Sequence, residues 1–156
     1  MKIEFLKDNA GFIDQMAALM FKEWGHVRPG TTIERFYNYL NEKLNADKIP
    51  LTLIAKSERN ELLGFASIVA SDMEINKEWS PWISGVFVLP QHRRKGVGGL
   101  LVGRLEQVAR NLGFERLYLY TFDKEGFYSN LFWTKVKEEF YLNSNVVVMT
   151  KNLRTN

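Results

Sequence analysis

The stretch LPQHRRKGVGGLLVGRLEQVARNL, residues 89–112, restricts the possible folds of this chain more than any other. Leu101, Leu105, Val108 and Leu112 recur at spacings of four, three and four, which lays one buried stripe along a helix that begins close to Gly98. The loop in front of that helix is rich in glycine. Gly96, Gly98 and Gly99 carry no side chain, so backbone N–H groups can lie against a bulky anion at a helix N-terminus, where the peptide dipoles present partial positive charge. Arg93, Arg94 and Lys95 add three cations just upstream. Together these features suit a pyrophosphate. A P-loop is excluded, because no Lys-Ser or Lys-Thr pair follows a glycine, and a dinucleotide fingerprint would need glycine where Leu101 stands.

The chain is 156 residues long, which fits one domain over 1–156 with a proper core. Along the chain, KIEFLK (2–7) alternates like an edge strand, and Phe12, Met16, Leu19 and Met20 keep a helical period until Gly25. After the GHVRPG loop, Thr31 and Glu34 have the spacing of a capping box, and Ile33, Phe36, Tyr37, Leu40 and Leu44 give the second helix its apolar face. At Leu51 the period changes from helix to strand. Residues 51–56 and 62–70 read as an antiparallel hairpin, and 81–90, bounded by Pro81 and Pro90, as a buried strand running into the glycine loop. Gly113 ends the long helix. A strand (117–122), a short helix (124–131) and two strands (136–142 and 145–150) joined at Asn143-Ser144 complete the order β-α-α-β-β-β-α-β-α-β-β.

That order resembles the GNAT superfamily of N-acetyltransferases along the whole chain. Arg93-Arg94-Lys95-Gly96-Val97-Gly98 resembles the family's Gln/Arg-x-x-Gly-x-Gly/Ala loop. FYSNLFW (127–133) resembles its Phe-Tyr-x-x-Leu-Gly-aromatic segment, with Phe132 in the place of glycine. The passage from Thr121 to Tyr128 looks closest to the branch that includes the actin N-terminal acetyltransferases. The resemblance implies an α/β (α+β) fold: a mixed, mostly antiparallel sheet of six to seven strands, with splayed central strands and helices on both faces. It also implies direct transfer of the acetyl group of acetyl-coenzyme A to a primary amine. The acceptor would be a small molecule, an antibiotic or a peptide α-amine. The chain has no cysteine, so a path through acetyl-Cys is closed.

Residue by residue, the resemblance assigns the cofactor to the backbone of Val86, Phe87 and Val88 and to Arg93, Arg94, Lys95, Gly96, Val97, Gly98 and Gly99. Tyr128 matches the tyrosine that protonates the departing sulfur. An ammonium acceptor must first lose a proton, so a carboxylate base is expected. Asp72, Glu74, Asp123 and Glu125 are the candidates; each also reads as a solvated loop acid, and the resemblance favours Asp72, which matches the branch's Asp…Pro-Trp position. Trp24, His26 and Arg28 lie where the family builds its acceptor groove. Trp79 and Trp82 read either as groove walls or as packing.

No His, Asp or Glu cluster has metal spacing, so no metal is expected. The net charge of +3 comes from scattered cations apart from residues 92–95, which disfavours nucleic acid. No apolar run resembles a signal peptide or a membrane span, so a cytoplasmic protein is expected, and the resemblance implies a monomer or homodimer. The rival readings are a non-catalytic acyl-coenzyme A binding module and a basic nucleotide binder.

Overall fold

The computed structural model describes residues 1–154; residues 155 and 156 of the expected domain lie outside the described residues. Seven strands form one sheet: β1 (Lys2–Phe5), β2 (Leu51–Lys56), β3 (Leu62–Val69), β4 (Trp82–Val88), β5 (Arg116–Thr121), β6 (Thr134–Tyr141) and β7 (Ser144–Asn152). Their order across the sheet is β1-β2-β3-β4-β5-β7-β6. Every neighbouring pair is antiparallel except β4 and β5, the one parallel pair. The helices are α1 (Ile13–Trp24), α2 (Ile33–Asn41), α3 (Val97–Asn111) and the short α4 (Glu125–Ser129).

Strand alternation explains the layers. Leu51, Leu53 and Ala55 point to one face, where Leu101, Val102, Leu105 and Ala109 of α3 cover them. Ile54, Phe65 and Phe87 point to the other, against Met16, Ala17 and Met20 of α1 and Leu40 of α2. A third cluster, built on Trp82, Tyr141, Val146 and Val148, closes the far end of the sheet. The buried Glu106 of α3 accepts from Trp133 Nε1 (3.2 Å) and pairs with Lys151 Nζ (2.8 Å), tying α3 to β7 and to the exit of α4.

Two turns differ from the sequence reading. The capping box does not form: Thr32 is the N-cap of α2 and no side chain caps it, because Gly30 at φ +86° turns the chain so that the helix starts one residue later. The last hairpin turns on Leu142-Asn143 rather than Asn143-Ser144. Both residues have positive φ, as a two-residue turn of this hand requires, and a leucine there gives no sequence signal.

The β3–β4 pairing positions the site. Phe65 faces Phe87 and Ser67 faces Ser84, so β4 spends one more residue than β3 between those two pairs; the bulge contains Gly85 at φ +63°. Next to it the strands approach unusually closely, since a Cβ on Gly64 would stand 2.7 Å from the Phe87 carbonyl oxygen. We expect Gly64→Ala to lower stability by about 1–3 kcal/mol, read as a drop in melting temperature. An unchanged melt would mean that β3 and β4 are free to separate here.

Candidate active site

The glycine loop leads directly into α3. Pro90–His92 forms a 3-10 turn, and Arg94 (φ +63°) and Gly96 (φ +84°) then swing the chain into α3. The first bond that closes onto the helix runs from Leu100 N–H to the Gly96 carbonyl (3.1 Å), so the N–H groups of Val97, Gly98 and Gly99 precede the ladder. Gly98 is glycine for a packing reason as well, because a Cβ there would lie 3.2 Å from Phe127 Cζ. Arg94 and Lys95 are exposed. Arg93 instead serves the fold: its Nε donates to the Val88 carbonyl (2.8 Å) and its guanidinium sits 5.5 Å from the Phe87 ring centroid.

Beside the loop the sheet opens. β4 and β5 pair only at Trp82 and Tyr118, with Tyr118 N–H also donating to the Pro81 carbonyl (3.0 Å), and then diverge. The cleft between them has a volume of about 300 Å³. Ile83, Ser84, Gly85 and Val86 line it from β4, residues 119–124 from β5 and its exit, and Trp24, Arg28, Thr31, Arg35 and Tyr39 from α1, α2 and their connection. Asp72 and Tyr128 both reach it.

Asp72 stands at the end of a line of hydroxyls. Ser84 Oγ donates to Asp72 Oδ1 (2.9 Å) and is itself 2.7 Å from the Tyr39 hydroxyl. Asp72 is half-buried, with its carboxylate bonded to the buried Ser84. Burial pushes its carboxyl up to about 7; the Ser84 hydrogen bond and the charges of Lys43 and Arg28 pull the other way without cancelling it. Lys43 supports the same line from α2's end. It is 4% exposed, its Nζ donates to the Tyr39 carbonyl (2.6 Å), and it lies 3.2 Å from the Tyr39 ring centroid. Burial lowers its ammonium to about 8. Burial likewise raises the phenols of Tyr39 and Tyr120, with the charge of Asp72 adding to the effect, so both stay protonated donors.

Tyr128 comes from α4. Its carbonyl accepts from both Leu131 N–H (2.9 Å) and Trp133 N–H (3.0 Å), and Lys151 Nζ holds the Leu131 carbonyl (2.8 Å). Phe132 adopts φ +70° and is 81% exposed, so it takes the conformation that glycine would and keeps its side chain out of the turn. The ring of Tyr128 packs edge-on to Phe127 and Trp133, and burial raises its phenol as well.

The structure brings Asp72, Tyr128, Val86, Trp24 and Arg28 together and leaves His26 exposed, outside the cleft lining. Phe87 turns its side chain into the α1–α2 core, and Val88 packs toward α3. Arg28 Nη1 donates to Glu74 Oε1 (2.9 Å), which removes Glu74 as a free base. Of the other carboxylates weighed, Asp123 lines the cleft and Glu125 does not. Trp82 is fully buried and Trp79 stacks on Tyr118, so both pack. Sequence reasoning missed Tyr39, Ser84, Lys43 and Arg35. Ser84 left a signal: it is a lone hydroxyl beside a glycine in an otherwise apolar strand. Tyr39 left none, since it keeps the apolar period of α2. Among the described residues no group of three His, Cys, Asp or Glu side chains is placed to hold a metal ion, and no helix is long and apolar enough to cross a membrane.

Residues 13–136 match the model of the acetyltransferase (GNAT) family. An aminoglycoside N(6')-acetyltransferase type 1 of Acinetobacter haemolyticus is 29% identical over 93 residues; that match takes in 57% of this chain and 64% of the relative. Among solved structures, an aminoglycoside 6'-N-acetyltransferase complexed with coenzyme A superposes with a TM-score of 0.77 at 18% identity, covering 100% of this chain and 99% of that one. The enzyme of the same name from Enterococcus faecium gives 0.75 at 18%, covering 100% and 99%. With a glycine loop opening α3 and a sheet divided between β4 and β5, the chain belongs to the acetyltransferase (GNAT) family.

Proposed function

We propose that the chain is a single cytoplasmic domain that transfers the acetyl group of acetyl-coenzyme A directly to a primary amine, with both substrates bound at once. The observation that carries this reading is the cleft itself. It begins where β4 leaves β5, and a carboxylate poised near neutrality and a buried phenol both line it. Coenzyme A supplies, when loaded, an acetyl group activated as a thioester. The glycine loop fits its pyrophosphate: three N–H groups stand ahead of the α3 ladder, Gly98 leaves no side chain in front of them, and Arg94 and Lys95 add charge that solvent screens. Along β4 the divergence from β5 after Trp82 leaves main-chain groups without a strand partner on the cleft side.

Asp72 is the base in this reading. Ser84, itself paired with the Tyr39 hydroxyl, holds one carboxylate oxygen, which leaves the other to take a proton from the acceptor ammonium, directly or through a water. A carboxyl at about 7 is a stronger base than an ordinary aspartate and is still substantially ionised at neutral pH. Tyr128, kept neutral by burial, donates to the sulfur as charge develops there. We expect Tyr128→Phe to lower turnover about a hundredfold while cofactor binding persists. Unchanged turnover would make Tyr128 a packing residue. The aminoglycoside relatives make an amino sugar one candidate acceptor.

The reading is tested by thermal shift with acetyl-coenzyme A, coenzyme A, longer acyl-coenzyme A species, ATP and NAD. A ligand at about a hundred times its Kd stabilises a fold by about 2.7 kcal/mol, which moves the melt by several degrees. Acetyl-coenzyme A is expected to give the largest shift. A response to ATP or NAD alone would overturn the assignment.

A further inference from the structure

Just past the end of α2 the chain buries a cation that no acid neutralises. Lys43 is 4% exposed, and none of the ion pairs among the described residues includes it. Its Nζ donates to the Tyr39 carbonyl (2.6 Å) and stands 3.2 Å from the centroid of the Tyr39 ring. A buried ammonium held by one carbonyl and one ring face is costly, and an apolar side chain of similar length would spare that cost.

The rim of the same ring reaches the base. Ser84 Oγ carries one proton, and while Asp72 is ionised that proton goes to Asp72 Oδ1 (2.9 Å). The Tyr39 hydroxyl, 2.7 Å from Ser84 Oγ, is then the donor of its pair. The line has one direction whenever the carboxylate is charged: Tyr39 to Ser84 to Asp72. A cation on the face of a phenol draws electron density from its oxygen and makes the hydroxyl a better donor, and in a buried line each donor strengthens the next. The groups that face Asp72 are Arg28 from the α1–α2 connection, Tyr39 and Lys43 from α2 and its exit, Ser84 from β4 and Tyr120 from β5. Arg28 is spent on Glu74 (2.9 Å), and both phenols stay protonated. Besides Asp72, Lys43 faces Glu42, which is exposed.

Resting on the acetyltransferase reading above, we propose that Lys43 is a positioning residue of the reaction: its ammonium, seated on the Tyr39 ring, keeps the Tyr39–Ser84 line aimed at Asp72 and favours the charged carboxylate. Lys43 itself does not line the cleft, so it acts on the acceptor only through the base. Its charge opposes the effect of burial on Asp72, and so the base is ready at a lower pH than burial alone would set.

The test uses the purified full chain and two readouts. One is a carbon NMR titration of the Asp72 side-chain carboxyl, identified by its loss in Asp72→Asn, which needs no acceptor. The other is kcat/KM against pH at saturating acetyl-coenzyme A, following released thiol, with the best amine from a panel of an aminoglycoside, free amino acids and dipeptides. Wild type and variants share one acceptor, so its own ionisation cancels. Lys43→Met is expected to raise the carboxyl midpoint and the rate limb together by about one pH unit. The rate loss is then about tenfold below the limb and shrinks as pH rises past it. The melt should hold or rise, since methionine removes a buried charge that has no ion partner. Tyr39→Phe keeps the ring beneath Lys43 but removes the rim donor; it should move both midpoints the same way, and it carries the test should Lys43→Met fail to fold. A folded Lys43→Met with an unmoved midpoint, or with a loss equal at every pH, would overturn the proposal, as would an unmoved midpoint in Tyr39→Phe. No thiol release from the wild type with any amine of the panel would overturn the enzyme reading, and the proposal with it.

Discussion

Asp72→Asn should lower kcat/KM by about a hundred- to ten-thousandfold and at the same time make the protein more stable above pH 7. The rate effect follows from its place at the end of the Tyr39–Ser84 line, inside the cleft. In the wild type, kcat/KM should rise with pH through a limb near 7, because the base works only once its proton has left, and the variant should lack that limb. The stability effect follows from the same carboxyl. It titrates near 3.8 in the unfolded chain and at about 7 in the folded one, so the folded state holds the proton more tightly and folding loses stability as pH rises between those values. A tenfold difference in proton affinity is worth about 1.4 kcal/mol, so for this half-buried group, partly screened by solvent, the penalty at pH 8 is on the order of 3 kcal/mol. Asparagine carries no charge and escapes it. Melts at pH 4 and pH 8 should therefore coincide with the wild type at the lower pH and diverge upward at the higher. A variant that melts lower at pH 8 would show a structural carboxylate, and a retained limb would assign the base elsewhere.

Gly98→Glu should cost at least about a hundredfold in coenzyme A affinity without unfolding the chain. The new Cβ would press on Phe127 Cζ at 3.2 Å, but that ring is partly exposed and has solvent to move into. A carboxylate in the first turn of α3 is favourable to the helix itself. It occupies the N–H groups of the cradle and repels a pyrophosphate, so calorimetric titration should show binding lost while the melt is kept. Gly98→Ala separates the two effects, since it adds the methyl and no charge. Wild-type affinity in the glutamate variant would refute the cradle.

Most of the fold was legible because periodicity records burial, and burial is what the sheet and its helices share. Strands 51–56 and 62–70 followed from apolar, β-branched runs around a polar turn, the second ending one residue earlier in the structure, and the helix on Leu101 and Leu105 followed from spacing. The loop was legible because glycine and arginine in that order leave few alternatives. The capping box failed where a local rule met a tertiary turn at Gly30. Asp72 was one acid among four in the sequence, and nothing local separates it from Glu74, which the structure spends on Arg28. What separates them is Tyr39 and Ser84, residues 45 apart that meet only when α2 lies across β4. Chemistry assembled from such distances leaves no period to read.

The divergence of β4 from β5 after a single paired position gives the protein a strand edge within its own sheet. Exposed edges are ordinarily templates for other chains, and folds blunt them with charge, bulges or cover. Here the α1–α2 connection walls the cleft beside that edge, which covers it against a foreign strand. Peptide-binding domains capture their partners by extending a sheet at its rim. In the proposed reading this molecule applies the same rule at its centre, with a cofactor arm in the place of a strand.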